Sequence, residues 1–543
     1  MAQLFLQQMP SLEKVFCERL NPVHGYNAAS LLKGEEFCYQ VAFWVDERLP
    51  VQVRLDCDPA LAVCLFEVGN APSERPVFPH AVDDNYLSAE PGLYPDILYP
   101  LQSGATIIAQ QYYKCVWVSV KTTEQTLPGD YAVGLTFENV AAGLRATAVF
   151  HLQVKEAVLP PQELIFTQWF HSDCLASYYG FPVFSEAYWD MVEKFVKMAT
   201  AHGMNMILTP IFTPPLDTDI GAQRPTVQLV GIKKEGEVYS FDFAKLKKWI
   251  TLCEKCGIIY FEMAHLFTQW GAECTPKIVA TQNGEETNLF GWHVRADSAE
   301  YRQFTAQFLP ALTAFLREEG IADKTVFHIS DEPHGEAHIR QYQVAKDVVS
   351  EHLHGFKIMD ALSDFALYER GTVSSPIPAS DAIQPFLDGN VPDLWTYYCC
   401  GQSVGVSNRF FAMPSARTRI MGLQLYKFNI TGFLQWGYNF YYSQQSRRLI
   451  NPFLTTDGEG AWPSGDAFSV YPGPDGPIAS LRLKVFFEAL QDLRALLLLE
   501  KKIGRAAVLA LIEEGLDKPL TFDCYPRDWR YIADLRERVN QLA

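Results

Sequence analysis

The chain lacks the marks of several large protein classes. No stretch of about 20 consecutive apolar residues occurs in its 543 residues, so no segment reads as a membrane-spanning helix. Met1–Phe16 has no basic segment followed by an apolar one, so no secretory leader is read there and a cytoplasmic protein is expected. The twelve cysteines show no framework spacing, and free thiols in a reducing compartment are the natural reading. Cys253-Glu254-Lys255-Cys256 stands alone, with no second pair at metal-ligand spacing. Positive charge is scarce. The 45 Lys and Arg face 63 Asp and Glu, and a formal charge of −18 argues against nucleic acid and against an anionic membrane surface as partner. No glycine-rich phosphate loop follows a predicted strand, and Pro472-Gly473-Pro474-Asp475-Gly476 reads as turns.

What is present is globular: 48% hydrophobic, 13% aromatic and 20% charged residues, without a bias toward disorder. The length exceeds one ordinary core and predicts two or three domains. Residues 1–160 alternate like an antiparallel β-sandwich, with strands predicted at Phe37–Val45, Val51–Cys57, Ala62–Val68, Cys115–Lys121, Tyr131–Glu138 and Ala146–Val154. Leu159-Pro160-Pro161 punctuates the chain, and the rhythm then becomes strand, helix, strand. Helices are predicted over Ser185–His202, Phe243–Cys256, Ser298–Glu319, His338–His354 and Phe410–Lys427. Eight strands over 161–500, the sixth a weak one at Ile377–Ala379, predict an α/β fold of the (β/α)8 TIM-type barrel, with an open doubly wound sheet as the alternative. Leu481–Leu498 reads as a long apolar helix, and 501–543 as a short tail with a helix near its end.

In a parallel barrel the C-terminal strand ends carry the chemistry. Thr325-Val326-Phe327-His328-Ile329-Ser330-Asp331-Glu332-Pro333 is an apolar run that breaks into two carboxylates and a proline. The other strand ends contribute Trp169, His171, Asp173, His265, Trp270, Trp395, Tyr397, Tyr398, Trp436 and Asn439. Aromatic faces stack on the C–H faces of sugars while polar groups read hydroxyls, so with His328 these are candidate substrate-binding residues for a small oligosaccharide or glycoside. Glycoside hydrolysis ordinarily sets two carboxylates across the bond. Neighbours on a regular strand point to opposite faces, but at a strand end the backbone can turn and bring both to one side. That arrangement suits substrate-assisted hydrolysis. Glu332 is then the acid/base, protonated at rest, and Asp331 the ionised stabiliser of an acetamido-derived intermediate.

His328-Ile329-Ser330-Asp331-Glu332-Pro333 resembles the signature of glycoside hydrolase family 123, the β-N-acetylgalactosaminidases. Trp169-Phe170-His171-Ser172-Asp173 resembles that family's first barrel strand, and Gly432-Phe433-Leu434-Gln435-Trp436-Gly437-Tyr438-Asn439 its last. Gly465-Asp466, Tyr471-Pro472-Gly473 and Ser480-Leu481-Arg482 resemble the segment that follows. The resemblance covers roughly Pro161 to Leu498. It implies a (β/α)8 barrel, retaining hydrolysis assisted by the acetamido group, no metal and no other cofactor. Asp331 takes the stabiliser role by motif match, Glu332 the acid/base role, and Trp436, Asn439 and Tyr398 become substrate contacts. Two other readings stand beside it. One is a metal-dependent barrel hydrolase using His171, Asp173, His265, His328 and Asp360; the other is a non-catalytic sugar-binding barrel.

Overall fold

Alternating side chains sort the N-terminal strands into two layers. On Glu36–Val45, Tyr39, Val41, Phe43 and Val45 enter one apolar core while Cys38 and Ala42 enter another. The computed structural model, which describes residues 3–333 and 335–543, pairs these strands into two five-stranded sheets. One runs Leu4–Pro10, Glu36–Val45, Lys114–Lys121, Ala62–Ser73, Gly92–Leu101; the other runs Ala28–Lys33, Leu144–Val158, Gly129–Asn139, Leu49–Cys57, Thr106–Ala109. All six strands predicted in this region are present. The four that were not predicted are the four sheet edges. Edge strands face solvent on one side and tolerate proline, as Pro10, Pro95 and Pro100 show, so they lack the alternation that marks a central strand. One pairing, Leu144–Val158 with Ala28–Lys33, is parallel rather than antiparallel.

Eight parallel strands follow: Ile165–Gln168, Met206–Thr209, Tyr260–Met263, Thr325–Phe327, Lys357–Ala361, Ser375–Ile377, Trp395–Tyr397 and Gly432–Gln435. Their ladders form two sheets instead of the continuous closed barrel expected. The second to sixth strands make a sheet of five, and the first, eighth and seventh a sheet of three. Sixth and seventh strands share a single bridge, Ala379 with Tyr397. Pro376 and Pro378 in the sixth strand have no N–H to donate, which limits pairing at this seam. Between first and second strands the contact is Asn205, whose N–H reaches the Phe166 carbonyl at 3.1 Å and whose Oδ1 accepts the Phe166 N–H at 2.7 Å. Side chains from both sheets nevertheless meet in one apolar cluster that includes Met206, Met359, Ile377, Trp395, Tyr397 and Leu434. At Gly432 a Cβ would lie 2.0 Å from the Trp395 ring, so this strand crossing requires glycine.

Helices begin where serine caps them: Ser185 before Glu186–Thr200, Ser298 before Ala299–Glu318 and Ser480 before Leu481–Ile503 each accept an N–H three residues on. Gly335–Val349 is the helix predicted from His338, and the stretch predicted as one helix over Phe410–Lys427 is two short ones, Ser415–Arg419 and Met421–Lys427. A four-stranded sheet, Gly231–Glu235, Val238–Asp242, Ile278–Gln282 and Glu285–Phe290, decorates the connections after the second and third parallel strands and was not predicted. Among the described residues no helix is long and apolar enough to cross a membrane.

Leu481–Ile503 packs between the sandwich and the parallel strands. Its first turn carries Arg482, whose Nε and Nη2 donate to the two Asp96 oxygens at 2.8 and 2.9 Å. Tyr471 donates to Asp96 at 2.6 Å, and Arg482 Nη1 donates to the Gly465 and Phe468 carbonyls. Two helical positions on, Lys484 pairs with Glu36 at 2.6 Å, fully within the interior. Removing one member of a buried pair leaves the other charge uncompensated. Arg482→Met is therefore expected to destabilise the protein by about 3–5 kcal/mol, measured by urea unfolding. A loss under about 1 kcal/mol, the value of an exposed pair, would contradict this reading.

Candidate active site

The fourth parallel strand ends its ladder at Phe327, and the next five residues fold the carboxylates inward. Leu266 and Phe267 N–H groups hold the His328 and Ile329 carbonyls, and Trp270 N–H holds the Asp331 carbonyl at 2.9 Å. Glu332 takes the left-handed conformation, φ 43°, which a side-chain-bearing residue adopts only when its surroundings enforce it. Its N–H is anchored on the Ala361 carbonyl at 3.1 Å. The turn defeats strand alternation, and Asp331 and Glu332 line one cavity of about 190 Å³. Tyr397 donates its hydroxyl to Glu332 Oε1.

Beneath the pair lies a buried ionic layer. His328 Nε2 is 3.0 Å from Glu262 Oε2, and its Nδ1 is 2.6 Å from the Met359 carbonyl and 3.6 Å from Asp360. Every neighbour is an acceptor, so both ring nitrogens carry protons and the ring is an imidazolium. Burial alone would lower its pKa; the carboxylates of Asp360 and Glu262 outweigh burial and raise it to about 10. Asp360, pushed up by burial, is held down in turn by His328, by Tyr342, whose hydroxyl donates at 2.5 Å, and by the Ile329 N–H. Glu262 also accepts the Thr167 hydroxyl and the Trp169 indole N–H, the latter at 3.1 Å. Burial drives Asp331 well above the usual carboxylate range, with Glu332 repelling a second charge and His328 opposing. In the open site, burial and the adjacent Glu332 therefore both disfavour a charged Asp331.

Of the candidates named from sequence, Trp169, Trp270, Asp331, Glu332, Tyr397 and Trp436 line the cavity. Trp270 sits at the mouth with 44% exposure. The others take supporting positions. Asp173 receives both arms of Arg224 at 2.8 and 2.7 Å, and His171 Nδ1 lies 3.1 Å from the same guanidinium, which with burial lowers His171 to about 3. Asn439 brackets the His171 backbone, accepting its N–H and donating to its carbonyl. His265 stacks on His328 with ring centres 4.6 Å apart, and Trp395 is part of the interior cluster. Tyr398 packs on the opposite face of its strand, its ring 4.9 Å from Phe433, because only Trp395 and Tyr397 share the inner side.

His265, His328 and Asp360 do bring ligand atoms within 4.8 Å of one another. Both His328 nitrogens are already engaged in this structure, Nε2 with Glu262 and Nδ1 with the Met359 carbonyl, so the ring is committed to the ionic layer.

Asp217 and Trp462, both in the cavity lining, escaped the sequence reading. Asp217 lies in the loop beyond the second strand, past the strand end that was searched; burial raises it to about 6, and its Oδ2 accepts the Gln445 N–H at 2.8 Å. Gln269 accepts the Asp217 N–H and fixes that loop. Trp462 reaches the cavity from the loop after the eighth strand and meets Trp436 edge-on at 5.3 Å. The Trp436 indole is oriented by a 2.8 Å hydrogen bond to Asp466. Gly458 makes room, since at φ 60° its Cβ would fall 2.4 Å from the Trp462 ring.

A histidine whose pKa is raised on folding stabilises fully below its unfolded value of about 6.5, and that stability is lost as pH climbs toward the folded value. The folded value of about 10 places the loss between pH ~6.5 and ~10. Stability measured by urea unfolding is expected to fall across that window in the wild type and to lose this component in His328→Gln. An imidazole that NMR shows neutral at pH 8 would refute the ionic layer.

Residues 169–499 match the family description "Glycoside hydrolase 123, catalytic domain". Comparison with curated protein sequences gives no match. Among solved structures, a family 123 glycoside hydrolase from Clostridium perfringens, described for glycolipid glycan hydrolysis, superposes with a TM-score of 0.74 at 16% identity, over 99% of this chain and 97% of that one. A β-glucuronidase from Parabacteroides merdae aligns at a TM-score of only 0.31 and 10% identity, over 89% of this chain and 51% of the other. The first likeness concerns the fold and the second carries no argument. The match over 169–499 extends across more than half of the chain and contains every cavity residue named above: the chain belongs to glycoside hydrolase family 123.

Proposed function

We propose that the protein removes a terminal β-linked N-acetylgalactosamine, or a related 2-acetamido sugar, from short glycans by retaining, substrate-assisted hydrolysis. One observation carries the reading: the left-handed turn at Glu332 delivers two adjacent carboxyl groups to the same side of one cavity. Two carboxylates acting from one side do not bracket a glycosidic bond, so the nucleophile must come from the substrate. The relationship to a structure described for glycolipid glycan hydrolysis supports a glycan substrate. We read the eight parallel strands as a (β/α)8 barrel with an interrupted seam, preceded by a sandwich domain to about residue 160.

In this mechanism the sugar stacks against Trp436 and Trp169. The acetamido carbonyl oxygen attacks C1 while Glu332 gives its proton to the glycosidic oxygen, and the C1–O bond breaks as the new C1–O bond forms. Asp331 accepts the acetamido N–H and stabilises the resulting oxazolinium. Burial disfavours a bare Asp331 carboxylate, so its ionised form awaits that donor. Substrate binding then leaves the proton of the pair on Glu332, where the first step needs it. Water next surrenders a proton to Glu332 and attacks C1, reopening the acetamide with overall retention. Tyr397 fixes the Glu332 carboxyl throughout.

Release of nitrophenol from the β-N-acetylgalactosaminide and β-N-acetylglucosaminide tests the proposal. Turnover is expected to persist in chelator and to fall roughly 10²–10⁴-fold in Glu332→Gln, the usual loss of a general acid/base. Whichever epimer turns over faster names the sugar. Equal cleavage of a glycoside with a 2-hydroxyl in place of the acetamido group would sink substrate assistance, and binding without turnover would favour a sugar-binding protein.

The third carboxyl gives a separate expectation. Asp217 accepts the Gln445 N–H through one carboxylate oxygen and lines the cavity. Asp217→Asn is expected to raise KM about tenfold with a smaller change in kcat, as loss of one charge-assisted hydrogen bond to a sugar hydroxyl would. A matched fall in kcat and kcat/KM would instead place Asp217 in the chemical step.

A further inference from the structure

We infer that a second cavity, back to back with the catalytic one, binds a sugar unit carrying a carboxylate. Its volume is about 230 Å³, of monosaccharide size, and it lies between the loop after the second parallel strand and the four-stranded decorating sheet. The two cavities share one wall: Asp217 lines the catalytic side and its neighbour Thr218 the other. Phe290, Trp292, Pro214 and Pro276 supply the flat apolar surfaces on which C–H-rich sugar faces rest.

Charge sets the ligand class. The chain holds 63 acidic residues, yet among the described residues none lines this cavity. Two basic side chains do, Lys277 and Arg224, together with His293. Arg224 spends its guanidinium on Asp173. Lys277 does not have such a partner: its ammonium donates to the Arg224 carbonyl at 3.0 Å, and among the described residues no carboxylate pairs with it. It is half-buried, and burial lowers its pKa, with the charge of Glu286, a residue outside the cavity lining, opposing. A half-buried ammonium with donors to spare and, among the described residues, no carboxylate in ion-pair contact is a fitting partner for a carboxylate brought by a ligand. The sugar component rests on the glycosidase reading; the charge component stands on the cavity alone.

Binding is tested directly, by NMR-monitored titration of the intact protein with methyl β-glucuronide, methyl α-N-acetylneuraminide, neutral methyl β-galactoside and inorganic sulfate. At least one carboxylated sugar is expected to bind at least about fivefold more tightly than the neutral sugar or sulfate, as one added charge-assisted hydrogen bond would give. Lys277→Gln should weaken that sugar about tenfold and Lys277→Arg should restore it. Trp436→Ala, which alters only the catalytic cavity, should leave its affinity unchanged. Neutral sugar binding as tightly as the acidic ones overturns the charge assignment, and sulfate binding as tightly overturns the sugar assignment. Loss of binding in Trp436→Ala would mean that the ligand sits in the catalytic cavity and the second site falls. If Lys277→Gln does not fold, the selectivity of the wild-type protein decides. Because no turnover is read, these outcomes are independent of which glycoside the enzyme cleaves.

Discussion

The buried imidazolium of His328 is the constraint on which the candidate site depends. A cation with no exposure to solvent is tolerable only where anions surround it, and Glu262 and Asp360 supply them from the neighbouring third and fifth strands. The same carboxylates recruit Thr167 and Trp169 from the first strand and Tyr342 from the helix before the fifth. Four strand ends are thereby held in one register directly below Asp331 and Glu332. Loss of any member leaves a charge buried without its partner, which couples the geometry of the Asp331–Glu332 pair to the integrity of the layer beneath it.

Buried arginines repeat this logic around the rim. Arg409 donates to Gln168 and Gln435, joining the ends of the first and eighth strands, and to the carbonyls of Gly437 and Asp466. Arg224 pins the second-strand loop to Asp173 and His171, which positions both Asp217 and the wall of the second cavity. Arg482 joins the sandwich to the segment that carries Asp466, and Asp466 orients the Trp436 indole. A continuous set of polar contacts therefore runs from Asp96 in the sandwich to an aromatic wall of the candidate site. This gives the N-terminal part a structural bearing on the site.

Much of this plan was legible because it rests on local pattern. The six central sandwich strands alternate visibly, and the parallel strands announce themselves as short apolar runs between amphipathic helices; all eight are present. The edge strands and the decorating sheet were not legible, since half-solvated strands carry polar residues at positions that pattern reading reserves for apolar ones. For the site, the Asp331-Glu332 break and the aromatic strand ends were readable from position. His171, Asp173 and Asn439 were placed in the sugar site from sequence, but they satisfy one another and Arg224 instead. Nothing in the local sequence says that a distant arginine will claim them.

The sequence by itself determined the family, the strand–helix rhythm and the placing of two adjacent carboxylates at a strand end, because each is a matter of residue type at short spacing. Tertiary structure decided the rest. The left-handed turn at Glu332 depends on its anchor at Ala361, the recruitment of Asp217 and Trp462 on loops far from any predicted strand end, and the interrupted seam on how Pro376 and Pro378 meet the seventh strand. These are contacts between segments tens to hundreds of residues apart. Their energies come from burial and charge neutralisation in the folded interior, which no single segment specifies.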